Sequence, residues 1–260
     1  MINEEGIVYL DENVRDYFCG DEKPMTLYRY MDCKYLKENR LRFLSPAKWN
    51  DPYERLFLNS KYLLHKEEIE CPLKNRVFCI CFTRASSSEA AWKVYRKTTK
   101  FSLRTGDFLN LLKLYTEDYK IYIGEVSYKS QTSFVRDSIR KLTGLTSNDF
   151  LQSNEEAWVK LLLLKRAAFE YEKEIRVILI SKKNIETQKD AIYLDFPVPI
   201  KDLFHHVELA PILPDFIKDY NPTVVYDELI ELGFEPNQIS ESSLFKDVKP
   251  RHLRIFKTLE

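Results

Sequence analysis

Glu172, Glu174 and Arg176 stand at every second position of Tyr171-Glu172-Lys173-Glu174-Ile175-Arg176. In extended backbone alternate side chains share a face, so two carboxylates and a guanidinium converge there. Paired carboxylates can move a proton or stabilise a cationic transition state. The stretch runs into Val177-Ile178-Leu179-Ile180, an apolar, β-branched run that reads as a buried strand with charges at its mouth. The same residues also fit a plain salt-bridged start of a strand, and the two readings stand side by side.

Two other stretches carry chemistry. Lys93 to Arg104 holds Lys93, Arg96, Lys97, Lys100 and Arg104 and no acid. With Trp92 and Tyr95 nearby it suits a phosphate-bearing ligand with stacked bases, and it equally suits a solvated basic surface. Asn50, Asp51 and Glu54 lie in the turn Trp49-Asn50-Asp51-Pro52-Tyr53-Glu54. Together with Glu172 and Glu174 they would be oxygen ligands for a divalent cation if these segments met. Cys19, Cys33, Cys71, Cys79 and Cys81 are an odd set with no secretory leader before them, which predicts reduced thiols in a cytoplasm. Cys79 and Cys81 lie in an apolar run without a matching histidine pattern, so they read as buried thiols.

These residues need a scaffold, and the chain is long enough to bury one: 260 residues, 44% hydrophobic, 31% charged. Lys+Arg and Asp+Glu both number 40, so any anion site must be local. With only 6 glycines there is no GxGxxG and no GxxxxGK[ST]. No run approaches the ~20 apolar residues of a membrane span. The patterning predicts helices over 11–18, 32–39, 61–69, 105–117, 131–142, 154–169 and 222–232, the last stopped by Gly233. Ser86 to Ser88 before Glu89 predict a further N-capped helix. Strands are predicted at 27–30, 41–44, 76–83, 121–128, 175–180, 192–194, 206–209, 238–240 and 252–256, with a break at Lys23-Pro24. The mixed order of elements predicts an α+β fold, mainly antiparallel sheets with surrounding helices, in one domain over 1–260.

Four stretches in order resemble the bacterial family called domain of unknown function 2971 (DUF2971). They are Leu27-Tyr28-Arg29-Tyr30, Leu44-Ser45-Pro46 with Asn50-Asp51-Pro52-Tyr53-Glu54, Cys79-Ile80-Cys81-Phe82-Thr83 with Trp92 and Tyr95, and Lys165 with Tyr171 to Arg176. The likeness covers about 25–181, leaving 182–260 as a C-terminal extension with a weaker likeness. It departs after Trp92, where the family's histidine beside the tyrosine is replaced by Val94 and Arg96. The family name carries no activity.

More distantly, the chain resembles the ADP-ribosyltransferase-like fold. That fold has a first strand bearing Arg or His, a second bearing Ser or Thr, and a later one opened by Glu-x-Glu. Arg29, Thr83 and Glu172-Lys173-Glu174 fall in that order. The resemblance implies an NAD-consuming enzyme. Glu174 would stabilise the ribosyl cation, Thr83 would orient that carboxylate, and Glu172 would activate an acceptor. Arg29 and Arg176 would hold the dinucleotide, Asn50 would assist, and Trp92 and Tyr95 would stack on nicotinamide. NAD is then a substrate, and a protein or nucleic acid is the acceptor. A bacterial toxin or an antiviral defence effector is the biological role that follows. The other readings are a non-catalytic nucleotide or nucleic-acid sensor using the Lys93–Arg104 run, and a metal-dependent nuclease using the Asn50–Glu54 turn.

Overall fold

Val77–Thr83 and Glu174–Ser181 are apolar over most of their length, and they pair antiparallel in the middle of one large sheet, Thr83 opposite Glu174 and Val77 opposite Ile180. Both are buried on both faces, as their near-continuous hydrophobic runs require. The structure, a computed structural model, describes residues 2–19, 26–64, 66–136, 155–183, 189–212, 217 and 219–244. The fold is α+β with a mixed, mostly antiparallel sheet.

In chain order the strands are β1 Ile2–Glu4, β2 Ile7–Tyr9, β3 Thr26–Met31, β4 Arg40–Leu44, β5 Lys61–Leu64, β6 Glu67–Glu70, β7 Val77–Thr83, β8 Thr99–Arg104, β9 Tyr119–Glu125, β10 Ser127–Lys129, β11 Leu164–Arg166, β12 Glu174–Ser181, β13 Ala191–Asp195, β14 Phe204–Leu209 and β15 Ile239–Glu241. The α-helices are α1 Glu12–Cys19, α2 Leu56–Asn59, α3 Glu89–Tyr95, α4 Thr105–Lys113, α5 131–136, α6 Glu155–Leu161 and α7 Pro222–Glu231. The main sheet runs β1-β2-β9-β12-β7-β3-β8-β14-β15, with β4 joined to β7 and to β13. Its two faces bury different cores. Phe78, Ile80, Phe82, Ile175, Val177 and Leu179 pack on one side, while Val77, Cys79, Ile178 and Ile180 pack on the other.

The sheet forks at β7. Its end pairs with β3 at Thr83–Tyr28, and its middle pairs with β4 at Cys79–Leu44. Cys81 lies midway, where β3 and β4 have diverged. Its carbonyl accepts a hydrogen bond from Arg29 Nη1 at 2.5 Å instead of from a strand.

Several local expectations need correction. Residues 61–64 and 67–70 form an antiparallel hairpin, not a helix: Lys66 takes a left-handed φ of 75°, and Tyr62 stands edge-on to Trp158 at 5.3 Å. The long helix over 154–169 ends at Leu161, because Leu164–Arg166 pairs in parallel with Ser127–Lys129. Asp32 makes no side-chain cap. It accepts from Thr98 N and Lys97 Nζ, and only one short 3₁₀ turn, Cys33–Leu36, follows it. Of the two cysteines expected to be buried, Cys79 is buried and Cys81 is half-buried. Strand 252–256, residues 137–142 and the break at 23–24 lie outside the described residues. Among the described residues no helix is long and apolar enough to cross a membrane.

Candidate active site

Glu172 and Glu174 reach the same place by a route that strand alternation does not supply. Glu172 ends a 3₁₀ helix, Ala167–Glu172, and Glu174 begins β12. Lys173 between them adopts a left-handed conformation, φ 42° and ψ 53°, and turns the chain sharply. Such backbone costs a non-glycine residue on the order of 1–3 kcal/mol and persists only where its surroundings hold it. Here Lys173 N donates to Glu170 O at 3.2 Å, and its carbonyl accepts from Arg84 N at 3.1 Å.

Both carboxylates are buried, and a cation that the strand pattern did not mark brings them together. Lys165 Nζ lies 2.5 Å from Glu172 Oε2 and 2.9 Å from Glu174 Oε2. Arg176 donates from Nε to Glu174 Oε1 at 2.8 Å and from Nη2 to Oε2 at 3.1 Å. It also bonds Glu54 and the carbonyl of Leu162, and its guanidinium lies 4.3 Å from the ring centre of Trp49. Gly124, opposite Arg176 on β9, leaves the space that Leu163 fills, where a Cβ would collide with it. Glu54, Glu172 and Glu174 against Lys165 and Arg176 leave one excess negative charge.

The two carboxyls are tuned apart. Burial alone would raise Glu174, but Arg176 and then Lys165 outweigh it and hold its pKa below the ordinary carboxylate value. Burial raises Glu172, against the pull of Lys165. Burial also pushes up the Tyr95 phenol, and the neighbouring Glu172 and Glu174 charges add to the rise. Divergent pKa values in neighbouring carboxyls assign an ionised partner and a proton-accepting one.

These groups line a cleft of about 200 Å³ walled by Tyr28, Arg29, Cys81, Thr83, Tyr95, Glu172 and Glu174. Of the residues singled out in the sequence, Arg29, Thr83, Tyr95, Glu172 and Glu174 come together there. Three do not. Arg176 is 1% exposed with its donors committed inside the protein, so it has no free face for a dinucleotide. Trp92 is fully buried, edge-on to Tyr30 at 4.8 Å, and cannot stack on a base. Asn50 is exposed and does not line this cleft. Thr83 has a different task from the one expected. Its hydroxyl donates to the backbone carbonyl of Glu172 and accepts from Ala85 N at 2.9 Å, so it fixes the turn and not the Glu174 carboxylate.

The basic run disperses. Lys93 pairs with Glu89, Lys97 with Asp32, and the buried Lys100 with Glu208. The Asn50–Glu54 turn does send Glu54 to the cluster, but Lys165 and Arg176 neutralise it, and Asp51 binds Arg166 at 3.2 Å. Among the described residues no group of three or more His, Cys, Asp or Glu side chains is placed to hold a metal ion. Lys165 carried one local signal, a single cation closing the apolar run Leu161-Leu162-Leu163-Leu164. Tyr128, whose hydroxyl accepts from Glu174 N at 2.8 Å, carried none. No family model, curated protein or solved structure matches this chain.

Proposed function

We propose that the cleft is an NAD-consuming, ADP-ribosyltransferase-like site. The reading rests on one observation: β12, β7 and β3 are consecutive in the sheet, and they bring Glu174, Thr83 and Arg29 to one cleft beside Glu172. Separated in sequence, these residues meet in the order that the fold-level resemblance implies.

The chemistry follows from the charges. The bond between ribose C1′ and the nicotinamide nitrogen breaks, and its electron pair leaves with the ring as neutral nicotinamide. A ribosyl cation develops, as in glycoside cleavage. The ionised Glu174 stabilises that cation electrostatically. Water or an acceptor hydroxyl or amine attacks C1′, and its proton passes to Glu172, whose raised pKa suits it as a base. Arg29 spends one donor on the Cys81 carbonyl and forms no salt bridge among the described residues, so its remaining donors serve the dinucleotide phosphates. Tyr95, 36% exposed at the cleft, takes the stacking role in place of Trp92.

The test is nicotinamide release from NAD by purified protein. Glu174→Gln abolishes release while the thermal melt stays cooperative, and Arg29→Ala removes the NAD-induced rise in melting temperature. Full turnover by a folded Glu174→Gln protein would falsify the assignment.

A further inference from the structure

The fork in the sheet opens a second and larger cavity, about 390 Å³, between the diverging strands β3 and β4. We infer that it binds a nucleoside polyphosphate, as a site separate in chemistry from the acid-lined cleft. Its walls carry Arg29, Lys34, Arg40, Arg42 and Lys97 against a single acid, Glu38, five cations to one. Asp32, which holds Lys97 at 3.0 Å, is a second acid at its edge. Leaving out Arg29, which also lines the smaller cleft, the balance is two to three positive charges, enough for a polyphosphate chain. Lys34 and Arg42 have no carboxylate partner among the described residues and are exposed. Guanidinium forks suit phosphate oxygens, and Arg40 and Arg42 sit at alternate positions of β4, on one face and roughly 7 Å apart.

The cavity also presents flat rings and an apolar floor. Tyr35 and Tyr193 are 46% and 47% exposed. Arg40 lies 4.4 Å from the Tyr193 ring centre, and Lys34 and Lys97 lie 5.4 Å and 5.9 Å from that of Tyr35, so a cation already stacks on each ring. Leu41 and Ile80 form a buried floor. One polar atom of a lining residue, Arg40 Nε, is buried without a hydrogen-bond partner. Buried polar groups are normally satisfied, and a bound phosphorylated ligand supplies the acceptor it lacks. The volume falls within the range of nucleotide-sized pockets, roughly 300–1,000 Å³.

Isothermal titration with ATP at low ionic strength tests this, and a protein that never turns over NAD can still pass. The expected result is saturable binding that weakens at least tenfold with Arg42→Glu and, separately, with Lys34→Glu, and that falls as salt is raised. Tyr193→Leu lowers ATP affinity more than that for inorganic tripolyphosphate, which lacks a ring to stack. Both charge-reversed positions are exposed, so either variant serves if the other fails to fold. No saturable ATP binding overturns the proposal. Binding indifferent to both charge reversals also overturns it, because ATP is then elsewhere. Equal losses for ATP and tripolyphosphate with Tyr193→Leu overturn the nucleoside part.

Discussion

Two cavities share Arg29 and Tyr30 and little else. In the smaller one, buried carboxylates meet buried cations, and nearly every charge has a protein partner. In the larger one, cations stand partly exposed, and Lys34 and Arg42 have no carboxylate partner among the described residues. The difference follows from solvation. A charge buried beneath Trp49 and the Leu161–Leu164 run must be matched inside the protein, because an unmatched one costs several kcal/mol. A charge at a strand edge open to water keeps its hydration until a ligand replaces it. The first cavity is therefore built to hold its own geometry, and the second to accept an anion.

The largest effect breaks the internally matched cluster. Arg176→Met leaves Glu54 and Glu174 facing Lys165 alone, and it lowers stability by about 3–5 kcal/mol in a denaturant titration. A loss below about 1 kcal/mol would show that the cluster is not internally matched. Thr83→Val orphans the buried carbonyl of Glu172 and costs about 1–3 kcal/mol. It also displaces Glu172, so NAD turnover falls more than stability does; equal thermal and kinetic behaviour to wild type refutes that role.

Titration separates the two carboxyls by sign. Glu174 has a folded value below its ordinary 4.5, so its stabilising contribution is fully present above 4.5 and is lost as pH falls further. Glu172 has a folded value above 4.5, so its ionisation works against folding, and stability declines as pH rises through that value. Melting temperatures against pH for Glu174→Gln and Glu172→Gln should each lose one of these two slopes. Loss of the same slope in both would contradict the opposite tuning. If Glu172 is the base of the proposed reaction, NAD turnover should rise through a limb above pH 4.5.

The smallest effect concerns the bend that joins the carboxylates. Lys173→Gly relieves the left-handed strain but loosens the unfolded chain, so the change stays within about 1 kcal/mol. Lys173→Val, β-branched at a positive φ, is the contrasting variant and destabilises by more. If valine is tolerated as well as glycine, the bend does not hold the pair.

Much of the frame was legible in the residues. Strands β7 and β12 announce themselves through uninterrupted apolar runs, the Ser88 cap bonds Ala91 N at 3.1 Å, and Gly233 ends the last helix at a φ of 87°. The alternation Arg40-Leu41-Arg42-Phe43 also held the second cavity's charges in plain view, since Leu41 and Phe43 are core and the arginines between them are not. These are local signals: side-chain period, caps and turn residues act within a few positions.

The helix expected at 61–69 and the long helix through Phe169 were local readings that tertiary pairing overrode. The site needed more still. Glu54 and Arg176 are 122 positions apart, and Arg29 and Cys81 are 52 apart. No spacing rule joins such residues. The sequence by itself determined which segments are apolar enough to be strands and which residues could carry charge chemistry. Only the tertiary structure decided that β12, β7 and β3 lie side by side, that the sheet splits at Cys81, and that Arg176 is sealed inside while Arg29 borders both cavities. The physical reason is that burial is a property of the packed whole, and burial sets which charges must be matched within the protein and which stay open to a ligand.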